Sequence, residues 1–275
     1  MGKYFKYLFN VFYNSILNHG RHVLENPLIY DGKSYSIDFD DLELKLSHPQ
    51  TKLMILCNPQ NPSGNIWTKQ DLEKIGNLAQ QYNVIVLSDE IHCDLCDPGF
   101  EYIPYASVSE TCLNHSISCV SASKAFNLAG LQSAAVIIAN PHLREIMERG
   151  LNSNEVAEPN VFAPLATQTA FNKAEKWLDD VRVYIKENKE IVYTFIEENC
   201  PLLSVVKSQA TYLIWIDISR LHVNSTKFTQ FIMDHSGLIV SDGIHYGGNG
   251  SQFIRLNSAC SKERLRDGLE RLKLS

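Results

Sequence analysis

Short apolar runs alternate with longer amphipathic segments in the first part of the chain. The apolar runs lie at residues 52–57, 84–88, 116–120 and 133–139. Runs of this length without polar alternation are typical of strands that are buried on both faces of a sheet. Between the first two runs, Thr68 is placed to cap a helix that we predict to end near Tyr82. The pattern therefore predicts an α/β fold with a mainly parallel sheet flanked by helices.

The pattern changes after Pro141, where the chain becomes mainly helical. We predict later helices at residues 177–199, 227–235 and 261–274, and strands at residues 212–218, 238–241 and 253–256. This mixture is typical of an α+β unit. We therefore predict two domains, a large one at residues 1–172 and a small C-terminal one at residues 173–275.

Composition excludes several classes of function. The 275 residues are 44% hydrophobic and 20% charged, with a net charge of −6, so we expect neither a nucleic-acid surface nor a membrane anchor. No apolar run approaches the roughly 18 residues of a membrane span. The seven cysteines are scattered, which favours reduced thiols in a cytoplasmic protein. Cys93 and Cys96 have the spacing of a redox or metal pair, but no second pair completes a metal site.

Polar residues follow three of the predicted strands, at the positions where ligands bind in α/β sheets. Asn61 lies in the segment Asn58-Pro-Gln-Asn-Pro-Ser-Gly64, Asp89 ends the second run, and Lys124 follows the third. A lysine forms a Schiff base with pyridoxal phosphate (PLP), and a carboxylate keeps the pyridine nitrogen of PLP protonated. The ordered set therefore predicts a PLP pocket.

Ser121, Ser123 and Arg255 extend the predicted site, and Asn61 also has a predicted contact. Asn61 is placed to contact the ring hydroxyl, and Ser121 and Ser123 to donate hydrogen bonds to the phosphate. Arg255, inside an apolar strand, suits the α-carboxylate of an amino-acid substrate. Taken singly, three of the candidates also fit purely structural roles: Asp89 as a helix cap, Lys124 as a surface lysine, and Arg255 as an edge-strand arginine that extends to water.

Four segments of the chain, in this order, carry a family resemblance. They are Asn58–Gly64, Ser88–His92, Ser121–Lys124 and Phe253–Cys260. With them the chain resembles a fold-type I PLP enzyme of the class I/II aminotransferase superfamily. Within it, the chain is similar to the cystathionine β-lyase/cystalysin branch of carbon–sulfur lyases. His92 stands where common aminotransferases have a tyrosine, Gln132 where aspartate-type ones have an arginine, and residues 152–166 are typical of that branch.

The resemblance implies a role for each candidate residue. Lys124 is expected to be the Schiff-base lysine and catalytic base, Asp89 the partner of the pyridine nitrogen, and Asn61 that of the ring hydroxyl. His92, Ser121 and Ser123 are expected to bind the cofactor, with both serines on the phosphate, and Arg255 to bind the substrate. The implied reaction releases a thiol, pyruvate and ammonia from cystathionine or a cysteine S-conjugate, in a homodimer.

Two alternatives stay open at this point: an aminotransferase, and a weakly active or inactive homologue with an interaction or regulatory role. The second is motivated by the start of the chain, because family members begin well upstream of Met1. We therefore expect an N-terminally truncated chain that lacks some phosphate donors, binds PLP more weakly and exposes apolar surface. The aromatic residue that stacks on the PLP ring is expected near Phe9.

Overall fold

Twelve strands and ten α-helices form the part of the chain that this computed structural model describes, which is residues 3–6 and 10–274, with side chains from residue 12 onward. The strands are β1 (Lys3–Lys6), β2 (His22–Glu25), β3 (Ile29–Tyr30), β4 (Tyr35–Ser36), β5 (Thr51–Cys57), β6 (Ile85–Asp89), β7 (Ser116–Val120), β8 (Ala135–Ile137), β9 (Ser204–Val206), β10 (Leu213–Asp217), β11 (Ser241–Asp242) and β12 (Phe253–Asn257). The helices are α1 (Asn10–Asn18), α2 (Phe39–Leu46), α3 (Lys69–Gln81), α4 (Glu110–Asn114), α5 (Ala122–Ala125), α6 (Pro141–Ser153), α7 (Ala163–Lys173), α8 (Glu175–Asn199), α9 (Ser225–Ser236) and α10 (Lys262–Lys273). Phe9 lies outside the described residues.

The larger sheet has six strands in the order β2-β1-β5-β6-β7-β8. Its first five strands are parallel, and β8 runs antiparallel to β7. The predicted α/β class with a mainly parallel sheet is confirmed. The strand predicted at residues 133–139 is shorter than expected, since pairing with β7 covers only β8.

Helix α3 shows how sequence determines an element of this layer. Thr68 and Asp71 form a reciprocal capping box, in which each side chain accepts a hydrogen bond from the other residue's backbone N–H. Leu72, Ile75 and Ala79 are fully buried at helical spacing and pack into the core beneath the sheet. The helix therefore begins and ends within one residue of its predicted bounds.

A second, antiparallel sheet has the order β11-β12-β10-β9 and packs against α8, α9 and α10. The strand predicted at residues 238–241 is largely wrong. Leu238 and Val240 pack against the core while Ile239 is exposed, which imitates a strand, but ladder pairing begins only at Ser241, opposite Arg255. The predicted domain boundary at residues 172/173 falls at the end of α7 and stays a prediction. No helix among the described residues is long and apolar enough to cross a membrane.

Backbone contacts join the two sheet systems next to Gly64. The Gly64 carbonyl accepts hydrogen bonds from the amides of Gln209 (3.0 Å) and Ala210 (3.1 Å). Gly64 has a φ of +72°, and a Cβ there would lie 2.4 Å from Cβ of Ser208 and 2.6 Å from the carbonyl oxygen of Ala210. The glycine is therefore required both for its left-handed backbone and for the close approach of the second chain segment.

We expect Gly64→Ala to destabilise the protein strongly. Gly20→Ala is the matched control, because Gly20 has a φ of +65° and a Cβ there would have no atom of the described residues within 4 Å. Left-handed strain alone should cost the control about 1 kcal/mol. The clash at Gly64 should add roughly 1–3 kcal/mol. Urea unfolding of both variants measures the difference, and equal losses would contradict the close contact.

Candidate active site

Three neighbouring parallel strands end side by side at one edge of the larger sheet. Their register places Cys57 opposite Asp89, and Asp89 opposite Cys119. Asn61 follows the first of these strands, and Lys124 follows the third. The parallel order thus brings segments far apart in sequence to the edge where α/β proteins bind ligands.

A cavity of about 310 Å³ opens at this edge. Five of the seven predicted site residues line it: Asn61, Asp89, His92, Lys124 and Arg255. The other lining residues are Phe12, Cys57, Ile91, Tyr212, Leu213 and Asn257. The volume lies at the small end of the range for cofactor sites. One amine, one carboxylate, one guanidinium, one imidazole and two amides therefore converge on a single space.

The carboxyl group of Asp89 is buried, with 9% of the residue exposed. Its Oδ1 accepts a hydrogen bond from the amide of Ile91 at 3.3 Å, and its Oδ2 accepts one from Sγ of Cys57 at 3.7 Å. Burial raises the pKa of Asp89, and the positive charge of Lys124 opposes that rise. A cationic ring nitrogen next to this carboxylate would favour its ionised form further.

Arg255 lies in β12, between β10 and β11, so the interpretation of this residue as an edge-strand arginine is wrong. Its Nη1 donates a hydrogen bond to Oδ1 of Asn61 at 3.2 Å, and its Nη2 donates one to Oγ of Ser241 at 3.3 Å. The guanidinium lies 5.0 Å from the centre of the Tyr246 ring. These contacts orient the guanidinium within the cavity wall.

His92 is 5% exposed, and its Nδ1 is buried without a hydrogen-bond partner in the described part of the chain. Its ring meets that of Tyr212 edge-on, with centroids 6.1 Å apart. Burial, with the charges of Lys124 and Arg255, lowers the pKa of His92 to about 4. The imidazole is therefore neutral at pH 7 and presents one unsatisfied nitrogen.

Ser121 and Ser123 do not line the cavity. Ser121 caps the short helix α5 by accepting a hydrogen bond from the amide of Ser123. The two hydroxyl oxygens lie 2.6 Å and 3.3 Å from the carbonyl oxygen of Ser133 and 2.7 Å from each other. Lys124, in the first turn of the same helix, is half-buried and does reach the cavity.

Sequence reasoning missed three polar lining residues: Cys57, Tyr212 and Asn257. Cys57 is the last residue of the strand predicted at residues 52–57, and this position alone could have indicated that it lies next to the site. Tyr212 and Asn257 lie at paired ends of β10 and β12, where Leu213 is opposite Asn257. That proximity depends on antiparallel register in the second sheet, which no local sequence pattern specifies.

The side chains present fit PLP. The buried carboxylate of Asp89 suits a protonated ring nitrogen, the amine of Lys124 suits an aldehyde, and the amide of Asn61 suits a ring hydroxyl. The orphaned Nδ1 of His92 provides a further polar group for a bound molecule. The phosphate of PLP has fewer available hydrogen-bond donors, because the hydroxyls of Ser121 and Ser123 contact the carbonyl oxygen of Ser133.

Residues 11–272 match the family model described as aminotransferase class I and II. The chain belongs to this family. Cystathionine beta-lyase PatB of Bacillus subtilis (strain 168) is 40% identical over 266 residues, which cover 97% of this chain and 69% of that protein. The chain thus spans about two thirds of the length of this relative.

Solved structures of the family superpose closely on the chain. Cystalysin from Treponema denticola, which contains PLP, gives a TM-score of 0.96 at 29% identity and covers 99% of this chain and 69% of its own. A PLP-bound putative aminotransferase from Clostridium difficile 630 gives 0.95 at 32% identity, covering 98% and 70%. The resemblance inferred from the four motifs is therefore confirmed.

The depressed pKa of His92 predicts a pH-dependent stability. An unfolded chain binds a proton at His92 below about pH 6.5, whereas the folded protein binds it only near pH 4. The neutral His92 therefore contributes fully to the free energy of unfolding above pH 6.5. This contribution, about 3 kcal/mol in total, is lost as the pH falls towards 4. We expect His92→Gln to flatten this part of the stability–pH curve, measured by urea unfolding of the cofactor-free protein.

The control for this prediction is His142→Gln, since His142 is exposed. This variant should leave unchanged the difference in the free energy of unfolding between pH 6.5 and pH 4. Parallel curves for the wild type and the His92 variant would contradict the depressed pKa. An imidazole NMR titration offers a direct check, with no His92 transition expected above pH 5.

Proposed function

We propose that the protein is a PLP-dependent carbon–sulfur β-lyase that converts cystathionine or a cysteine S-conjugate and one water molecule into a thiol, pyruvate and ammonia. The observation that carries the proposal is the convergence of Lys124, Asp89, Asn61 and Arg255 on one cavity. Identity of 40% with a protein named cystathionine beta-lyase supports the reaction type. The PLP in the cystalysin structure supports the cofactor.

Each cofactor contact follows from a group at the cavity wall. Asp89 would hold a proton on the pyridine nitrogen, with its carboxylate oriented by Cys57 and Ile91. Asn61, whose amide is fixed by Arg255, would bind the ring hydroxyl. His92 would bind the cofactor as a neutral ring. Ser121 and Ser123 would serve the phosphate after releasing the Ser133 carbonyl.

PLP, when bound, supplies an electron sink for the negative charge that develops at Cα. Arg255 would hold the substrate carboxylate through two parallel hydrogen bonds and so orient the Cα–H bond towards Lys124. Nζ of Lys124 would then take the Cα proton as a general base, after which the thiolate leaves from Cβ. The cavity, walled by Tyr212 and Leu213 on the side of the second sheet, would limit water at Nζ.

Transamination on the same scaffold is the second candidate, favoured by the relative from Clostridium difficile, which is named a putative aminotransferase. Gln132 argues against the aspartate type, because it replaces the arginine of those enzymes, is exposed and ends a short 3-10 turn with a φ of +50°. An added keto acid that steadily gains an amino group would identify an aminotransferase; pyruvate release identifies the lyase.

We also propose a homodimer and a cytoplasmic location. Support for an assembly comes from large apolar side chains exposed at the start of α7 and just before it: Val161 (82%), Phe162 (70%) and Leu165 (68%). Such a group of exposed side chains is typical of a surface that another chain covers. If the protein does not bind PLP, an interaction or regulatory role is the alternative to the lyase activity.

We expect Lys124→Ala to abolish covalent PLP attachment and to lower kcat for pyruvate formation roughly 10³-fold, since it removes both the amine and the general base. The chain is loaded with PLP, trapped with borohydride and analysed by peptide mass spectrometry, and pyruvate is assayed with cystathionine. Lys173→Ala, an exposed lysine at the end of α7, is the control and should leave both readouts unchanged. A PLP-loaded wild type that releases no pyruvate would sink the lyase proposal.

We expect Arg255→Lys to raise KM for the amino-acid substrate about tenfold with a smaller change in kcat, because lysine cannot bind a carboxylate bidentately. Arg149→Lys is the control, since Arg149 is an exposed arginine that pairs with Glu145 of its own helix. Steady-state kinetics separate the two parameters. An unchanged KM in the Arg255 variant would remove this residue from substrate binding.

A further inference from the structure

Helix α8 contains two adjacent polar residues that are almost completely buried. Asn188 is 0% exposed and Lys189 is 1% exposed, on the helix face that also buries Ile185, Val192 and Ile196. A buried ammonium group loses its hydration and is retained only where paired groups compensate for that loss. The partners of Lys189 therefore show what its burial provides.

Lys189 bridges the two parts of the structure. Its Nζ lies 2.6 Å from Oδ2 of Asp97, which follows the short turn after His92. The same nitrogen donates to the carbonyl of Thr211 at 3.2 Å and reaches that of Ala210 at 3.4 Å. One ammonium group thus contacts a carboxylate and the chain segment that enters β10.

Thr211 adopts a backbone conformation that its side chain disfavours. Its φ is +68°, in the left-handed region that a β-branched residue seldom occupies. Its amide donates to the carbonyl of Leu95 at 2.7 Å, and its hydroxyl accepts from the amide of Leu213 at 3.1 Å. Leu95 and Lys189 therefore hold Thr211 through its amide and its carbonyl, one on each side of its Cα, which keeps the strained turn in place.

The turn delivers two residues to the cavity. Tyr212 and Leu213 directly follow Thr211 and line it, and the Tyr212 ring contacts that of His92. The Tyr212 carbonyl accepts hydrogen bonds at 2.9 Å from both the amide and the hydroxyl of Ser258.

Asn188 contacts the other side of the same cavity wall. Its Nδ2 donates at 2.8 Å to the carbonyl of Ser258, directly after the lining residue Asn257. Lys189 therefore contacts Thr211, which precedes Tyr212 in the chain, and Asn188 contacts Ser258, which hydrogen-bonds to Tyr212.

We propose that Lys189, held by Asp97, is a positioning residue: it fixes the Thr211 turn so that Tyr212 forms the substrate-side wall of the cavity next to His92. The assignment rests on the proposed function for the identity of the substrate. It differs from a purely stabilising role, because the hydrogen bond to Thr211 is separate from the ion pair with Asp97.

Paired variants separate the two roles. Lys189→Met leaves Asp97 buried and unpaired, so it should lower the unfolding midpoint and raise KM together. The double variant Lys189→Met with Asp97→Leu replaces the pair by apolar groups of similar size, which should restore the unfolding midpoint. We expect its KM for cystathionine to stay about tenfold above wild type with kcat within about twofold, because the Thr211 hydrogen bond is still missing.

A second readout needs neither cofactor nor turnover. In the double variant, backbone amides of residues 211–213 should exchange with deuterium about tenfold faster than in wild type, since the turn loses one of its holding contacts. Lys176→Met is the control, an exposed lysine of α8 paired within its own helix; it should leave KM and exchange unchanged.

A double variant with wild-type midpoint, KM and exchange would overturn the positioning role. If the wild type itself makes no pyruvate, the lyase proposal fails. The exchange measurement still decides the role of Lys189 in that case: faster exchange supports it and unchanged exchange overturns it.

Discussion

Burying a carboxylate at the end of a parallel strand costs desolvation free energy unless a positive charge lies beside it. Asp89 is such a carboxylate, and the other groups of the cavity must compensate for its burial. Its neighbours across the sheet are two cysteines, Cys57 and Cys119, which bring no charge. The nearest compensation comes from a thiol, one backbone amide and the charge of Lys124. The cavity is thus electrostatically incomplete by itself, and a bound cationic ring is the kind of ligand that completes it.

The same electrostatics explain why His92 differs from the other cavity residues. Two cations, Lys124 and Arg255, share its surroundings, so a third positive charge is unfavourable and the imidazole stays neutral. A tyrosine there would present a phenol instead. The replacement keeps a polar group in the wall but changes which atoms donate and accept hydrogen bonds.

Four of the six strands of the larger sheet, and the polar residues that follow them, were predictable from the sequence. Strands β1 and β2 and the contribution of the second sheet to the cavity were not. Buried parallel strands are continuous apolar runs, and polar residues at their ends stand out, as Asn61, Asp89 and Lys124 do. Arg255 was recognisable as a charge within an apolar strand. Tyr212 and Asn257 enter the cavity through antiparallel register and a left-handed turn at Thr211, which are tertiary constraints without a local signature. The serines' contacts with Ser133 likewise depend on how β8 folds back against β7.

The hydrogen bond between Arg255 and Asn61 joins the group assigned to the substrate with the group assigned to the cofactor. A carboxylate that occupied both η nitrogens would compete with the Asn61 oxygen for Nη1 and would weaken the contact that holds the Asn61 amide in place. With the proposed roles, substrate binding at Arg255 would therefore be coupled to the orientation of the Asn61 amide. The effects of changing Asn61 and Arg255 should accordingly be non-additive, because each residue is part of the other's environment.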